Sequence, residues 1–176
     1  MRLSTPRRLR RLAVPLVAAC SLTGAAATPA SAASPCSAAA SARTTTLCLI
    51  NAQRTAHGLR SLRLDARLNL AARRHSQDMV AGRYFGHDSR SGARFSARIA
   101  RTGWMNGRGR WSVGENLAWG SGTQATPRSI VAAWMQSAGH RHNILSPRFR
   151  VIGIGIVSGA PVSAANGATY TTDFGG

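Results

Sequence analysis

The chain has 176 residues, enough for one domain, and its 23 basic residues, all arginine, stand against five acids for a formal net charge of +18. The arginines are scattered, with no basic run after the first eleven residues and no basic strand interleaved with aromatics, which argues against a specific nucleic-acid reader. Such a charge favours non-specific attraction to anionic partners, such as cell-envelope polymers or lipid headgroups.

Residues 1–32 read as a signal peptide. Five arginines lie in the first eleven residues, an apolar run extends from Leu12 to about Ala27, and Ala30-Ser31-Ala32 supplies a small-x-small cleavage pattern. The alternative is lipid anchoring, because Val17-Ala18-Ala19-Cys20 resembles a bacterial lipobox. Nothing later approaches the ~18 apolar residues of a membrane span. Removing the leader leaves 18 arginines against five acids, a net +13. Export to an oxidising compartment makes a disulfide between Cys36 and Cys48 the expectation. Closing so short a loop contributes roughly 3 kcal/mol.

Residues 33–44, ASPCSAAASART, read as a small-residue linker, and the folded domain is expected over 45–176. Thr45–Thr46 can cap a helix from Leu47 to His57, stopped by Gly58. Asp65 caps a second helix, Ala66 to about Gly82, whose apolar face carries Leu68, Ala71, Ala72, His75 and Met79. A turn-rich loop, YFGHDSRSG (84–92), leads to a short helix at about 93–101. VGENLAWGSG (113–122) is bracketed by glycines and places Glu115 in a turn. Thr126 and Pro127 start another helix, which carries Ile130, Val131 and Trp134 inward and is ended with the help of Gly139. RVIGIGIVSG (150–159) and ATYTTDFGG (168–176) read as strands joined into an antiparallel hairpin. Helices lead and strands follow, so the class is α+β in layers.

Three polar residues on separate elements need an explanation: His75, His140 and Glu115, the last being the single glutamate of the chain. A metal site would use both imidazoles, with Glu115 as third ligand, orienter or base, although the i, i+4 histidine spacing of a helical zinc site is absent. A nucleophilic hydrolase would use Ser137 with a histidine base, yet no G-x-S-x-G elbow surrounds that serine. A polar cleft that binds without cleaving is the third reading.

The succession NxxRxxHGL (51–59), HSQDM (75–79), YFGHDSRSG (84–92), GENLAWG (114–120), WxxSxGHRxNIL (134–145), GIGI (153–156) and YTTDFG (170–175) resembles bacterial CAP-domain proteins. That superfamily is named for cysteine-rich secretory, antigen 5 and pathogenesis-related proteins. The resemblance spans residues 47–175 and implies an α-β-α sandwich, expected here with an antiparallel central sheet. It also implies a cleft lined by two histidines and acidic residues. Matched motif by motif, it implies His75 as the first cleft histidine, Glu115 as the acid and His140 as the second histidine. His87 is placed at the rim, while His142 faces away and His57 belongs to a helix end. Ser137 stands where eukaryotic relatives carry a second glutamate, which weakens a two-carboxylate mechanism and lowers metal affinity. The function so implied is a secreted, monomeric domain that binds a metal ion, a lipid or a cell-envelope component in its cleft. No cofactor is required, and zinc or another divalent ion held by His75 and His140 is the metal variant. The alternative is an extracellular hydrolase assisted by metal or by the His/Glu pair.

Overall fold

A computed structural model describes Cys36, residues 40–162 and residues 164–176. The leader at 1–32, its cleavage pattern and Cys20 lie outside the described residues.

The first helix, α1 (Ala42–Ala56), starts five residues before the expected position. Ser41 rather than Thr45 is its cap, its side chain accepting the amide of Thr44. The last residues of the 33–44 segment are therefore helical, and the Cys36–Cys48 disulfide ties the chain ahead of α1 to the helix itself. After strand β1 (Arg63–Leu64), Asp65 caps α2 (Ala66–Gly82) as expected, accepting the amides of Arg67 and Leu68. Helix α3 (Phe95–Arg101) follows the glycine-rich loop.

Glu115 was expected in a turn and instead lies within strand β2 (Val113–Ser121). The glycines there serve close packing. A Cβ on Gly114 would lie 2.9 Å from the Phe149 ring, and one on Gly120 would lie 2.4 Å from the Gln124 carbonyl oxygen. Thr126 caps α4 (Pro127–Gln136), with proline in its first turn. Gly139 does not end that helix. Ser137, in extended conformation, closes α4 and opens α5 (Ala138–Ile144), so Gly139 lies inside the second helix. Strands β3 (Val151–Ser158) and β4 (Gly167–Gly175) form the expected hairpin.

The sheet order is β1-β3-β4-β2. It is mixed rather than purely antiparallel, because β1 pairs parallel with β3 while β4 runs antiparallel to both neighbours. Two helical layers enclose it, with α2 and α3 on one face and α1, α4 and α5 on the other.

Strand β3 shows why the layers can approach. Ile152 and Ile154 point into a core with Ile50, Ile130, Trp134, Tyr170 and Phe174. The alternate positions, Gly153 and Gly155, let α2 lie directly on the strand. A Cβ at either would come within 2.1 or 2.3 Å of the backbone at Leu68 or Ala72. The buried polar tips in this core are satisfied: Trp134 donates from Nε1 to the Leu117 carbonyl at 3.0 Å, and Tyr170 from its hydroxyl to the Ala125 carbonyl at 2.7 Å. Burial pushes the Tyr170 hydroxyl pKa up to about 12. Among the described residues no helix is long and apolar enough to cross a membrane.

Candidate functional site

Strand β2 is the edge of the sheet beyond β4, so groups from both helical layers can meet across it. From the α2–α3 side comes the loop between those helices. Arg83 at φ 50° ends α2 in the left-handed conformation and turns the chain back. His75 Nε2 then donates to the Gly86 carbonyl at 2.9 Å, holding the loop from below. Arg98 of α3 holds it from the side through the carbonyls of His87 at 2.6 Å and Ala93 at 3.3 Å. These anchors fix where His87 stands.

From the opposite layer comes α5, tied to β2 by two asparagines. Asn116 Nδ2 donates to the His140 carbonyl at 3.0 Å. Asn143 Nδ2 donates to the Glu115 carbonyl at 3.0 Å and to Asn116 Oδ1 at 2.8 Å. The two motifs GENLA and GHRHNIL are thereby locked together, and His140 is carried to the strand edge.

Glu115 lies between these layers with both carboxylate oxygens engaged. Oε1 accepts from His87 Nδ1 at 2.8 Å and Oε2 from Arg98 Nη2 at 2.5 Å. The hydrogen bond to Glu115 raises the His87 pKa, against the opposing effect of partial burial. With Nδ1–H committed to the carboxylate, Nε2 is the ring nitrogen left to act outward, and the side chain is 55 % exposed. Burial, and then the charge of His87, lower the His140 pKa. The two imidazoles therefore sense each other across the edge.

The histidine that contacts Glu115 is thus His87. His75 is 1 % exposed and bonded to the loop backbone, with Nδ1 lacking any partner. Burial lowers its pKa, although the negative charge of Glu115 reaches it. Ser137 sits at the α4–α5 junction, and its hydroxyl has no partner among the described residues, so no serine–histidine pair forms. His142 is exposed, and His57 closes α1 with Nδ1 on the Gln53 carbonyl, both as expected.

Three neighbours of Glu115 had escaped the sequence reading: Arg98, Asn143 and Asp173. Asp173 lies opposite Glu115 in the β4–β2 register and is fully buried. Burial, followed by the charge of Glu115, drives its pKa well above the ordinary carboxylate range. Neither oxygen has a hydrogen-bond partner, so nothing but the nearby Arg98 charge favours its ionised form. A lone aspartate inside an otherwise apolar and threonine-rich strand was the available signal.

Among the described residues no three His, Cys, Asp or Glu side chains group closely enough to hold a metal ion, and Arg98 neutralises the Glu115 carboxylate.

Comparison with known proteins agrees with this architecture. The Bacillus subtilis (strain 168) protein YkwD is 39 % identical over 127 residues, covering 72 % of this chain and 44 % of its own length. The chain thus spans less than half of that relative. A crystal structure of an extracellular protein containing an SCP domain from Bacillus anthracis str. Ames aligns with TM-score 0.60 and 29 % identity, covering 73 % of this chain and 38 % of that one. An outer surface protein from Borrelia burgdorferi shares the fold, with TM-score 0.63 and 19 % identity over 76 % of this chain and 91 % of that one. Residues 47–172 match the CAP family, the cysteine-rich secretory protein family, and the chain belongs to it.

Proposed function

We propose that this CAP domain is exported and acts as a binding module, its cleft at the β2 edge taking an anionic component of the cell envelope. The observation that carries this reading is the commitment of Glu115. Both its oxygens are spent on His87 and Arg98, so the carboxylate orients groups and is not free to act as a base. What the β2 edge offers is then a pair of imidazoles, His87 and His140, in a chain of net charge +13 once the leader is removed. These are hydrogen-bonding groups suited to holding an anion. Export rests on the leader-like residues 1–32 and on the extracellular relative from Bacillus anthracis.

The test is retention on anionic and neutral cell-wall preparations over a salt series, for wild type, His87→Ala and His140→Ala. Preferential, salt-sensitive retention on the anionic preparation, weakened in both variants, is expected. Equal retention on both preparations by all three proteins would sink the reading. A parallel zinc titration by calorimetry separates the metal variant: stoichiometric binding lost in both histidine variants would replace an anion by a cation as the ligand.

A second reading has the His87–Glu115 pair in its favour, since a carboxylate on Nδ1 leaves Nε2 placed to take a proton from water. An extracellular hydrolase of that kind would cleave a peptide, ester or phosphodiester at a rate abolished in His87→Gln.

A further inference from the structure

A cavity of about 280 Å³ opens between α2, the 84–92 loop and α3, and Glu115, His87 and His140 do not line it. Its walls carry three arginines, Arg74 from α2 and Arg98 and Arg101 from α3, together with His75, Ser89 and Ser91. Asp78 is the only carboxylate in the lining; one of its oxygens accepts the Tyr84 hydroxyl, and its single charge is outnumbered by the arginines.

The hydrogen-bond inventory of this cavity is incomplete. Arg74 and Arg101 are exposed and have no hydrogen-bond or ion-pair partner among the described residues. Ser91 has no side-chain partner either, and Ser89 Oγ only accepts, from Arg98 Nη1 at 3.4 Å, so both hydroxyl protons remain to be donated. One lining residue is buried with a donor unmatched: Arg98, 7 % exposed, at Nε; the unmatched Nδ1 of buried His75 is an acceptor while Nε2 carries the ring proton. Buried polar atoms of native proteins are nearly always paired, and an unpaired one marks a place where a missing group belongs.

With Arg98 matched to Glu115, Arg74 and Arg101 still exceed the one carboxylate of the lining, and an anion would offset that excess. One carboxylate can be matched by one guanidinium fork, whereas two forks from different helices, with two hydroxyl donors in the same lining, call for an anion with three or more oxygens. The volume is at the small end of ligand pockets, which excludes a polymer segment and suits a single headgroup or free ion. We infer that this cavity is a binding site for a phosphate group, held by Arg74 and Arg101 with Ser89 and Ser91, and separate from the cleft at the β2 edge.

The experiment uses the full chain and inorganic phosphate, titrated by calorimetry at fixed ionic strength set with chloride. The test variant is Arg74→Gln/Arg101→Gln. Its charge-matched control is Arg73→Gln/Arg110→Gln, two exposed arginines outside the cavity. Loss of two charge-assisted contacts should weaken phosphate binding at least ~10-fold in the test variant, with unchanged circular dichroism, and leave the control near wild type. Equal weakening in both variants would reduce the effect to bulk charge and overturn the site, as would failure of wild type to bind phosphate.

A second arm uses vesicles of phosphatidylcholine with and without phosphatidic acid. Selective capture by the phosphatidic acid vesicles, lost in the test variant alone, assigns the site to a lipid headgroup. Phosphate binding without capture assigns it to a free phosphate compound. Arg74→Gln/Arg101→Gln should be retained on the anionic cell wall as the Arg73→Gln/Arg110→Gln control is, so failure of the cleft reading and failure of this site remain distinguishable.

Discussion

Two arginines, Arg54 and Arg98, are buried in opposite helical layers and treated differently by their surroundings. Arg54, 0 % exposed, has no carboxylate partner. Its Nε donates to the Arg60 carbonyl at 2.8 Å, Nη1 to those of Ile144 and Ser146 at 2.7 and 3.0 Å, and Nη2 to that of Phe149 at 3.3 Å. One side chain thus collects carbonyls from the end of α5 and the approach to β3, in addition to the loop after α1. Burial, and then the charge of Arg150, lower its pKa. Arg98 is matched to Glu115 and to the loop carbonyls, and yet Nε is left over. Every guanidinium nitrogen of Arg54 has a carbonyl partner, whereas Arg98 keeps one buried donor unmatched beside the cavity between α2, the 84–92 loop and α3.

The strongest way to break the comparison is Arg54→Ala. Three carbonyl-rich segments lose their common donor, and the fold should lose roughly 4 kcal/mol, read from urea denaturation. A loss below about 1 kcal/mol would mean that water replaces the guanidinium at no cost. Arg98→Met should destabilise by somewhat less, roughly 3 kcal/mol, since it leaves Glu115 beside Asp173 with His87 as the remaining counter-charge. It should also loosen the 84–92 loop, which amide hydrogen exchange would register while α1 stays protected.

The third test concerns the acid that Arg98 faces. With the folded pKa of Asp173 above its ordinary value, the folded state keeps a proton that the unfolded chain has already released in the window between the two. Stability contributed there falls as pH rises. Asp173→Asn removes that fall, so denaturation midpoints measured from roughly pH 4 to pH 8 should decline less in the variant. Parallel profiles would mean that the carboxyl is ionised in the fold.

The smallest effect is expected at His87. Its raised pKa contributes stability that is present below the ordinary histidine value and lost as pH rises through the raised one. His75 and His140, with lowered values, act in the opposite sense and cost stability as pH falls below the ordinary histidine range. His87→Gln should remove only the first of these, a slight change that an NMR titration of the five histidines would resolve by residue. A His87 resonance titrating at or below the free value would contradict the Glu115 contact.

Local chemistry was legible where a side chain acts on its own backbone. The Asp65 cap, the Thr126–Pro127 helix start, the apolar stripe of α2 and the β3–β4 hairpin all follow from neighbours within a few residues. Errors arose where a residue type has two uses. Gly114, Gly120 and Gly139 suggested turns, but the first two make room for Phe149 and Gln124 and the third sits in a helix. Ser137 serves as the end of one helix and the beginning of the next, which no periodicity reveals. The helical period correctly put His75 on the inward face of α2, yet an inward histidine says nothing about which carboxylate it meets.

By itself, then, the sequence determined the α+β class, the order of most elements, the Cys36–Cys48 pair, and Glu115 and His140 as residues to watch. Capping, periodicity and motif order act over short stretches of chain. Tertiary structure alone decided that β1 makes the sheet mixed and that Asp173 faces Glu115. It also decided that His87, 28 residues before Glu115, supplies the adjoining imidazole. Those pairings join segments with no local relation, and strand register and loop anchoring set them only once both helical layers have closed on the sheet.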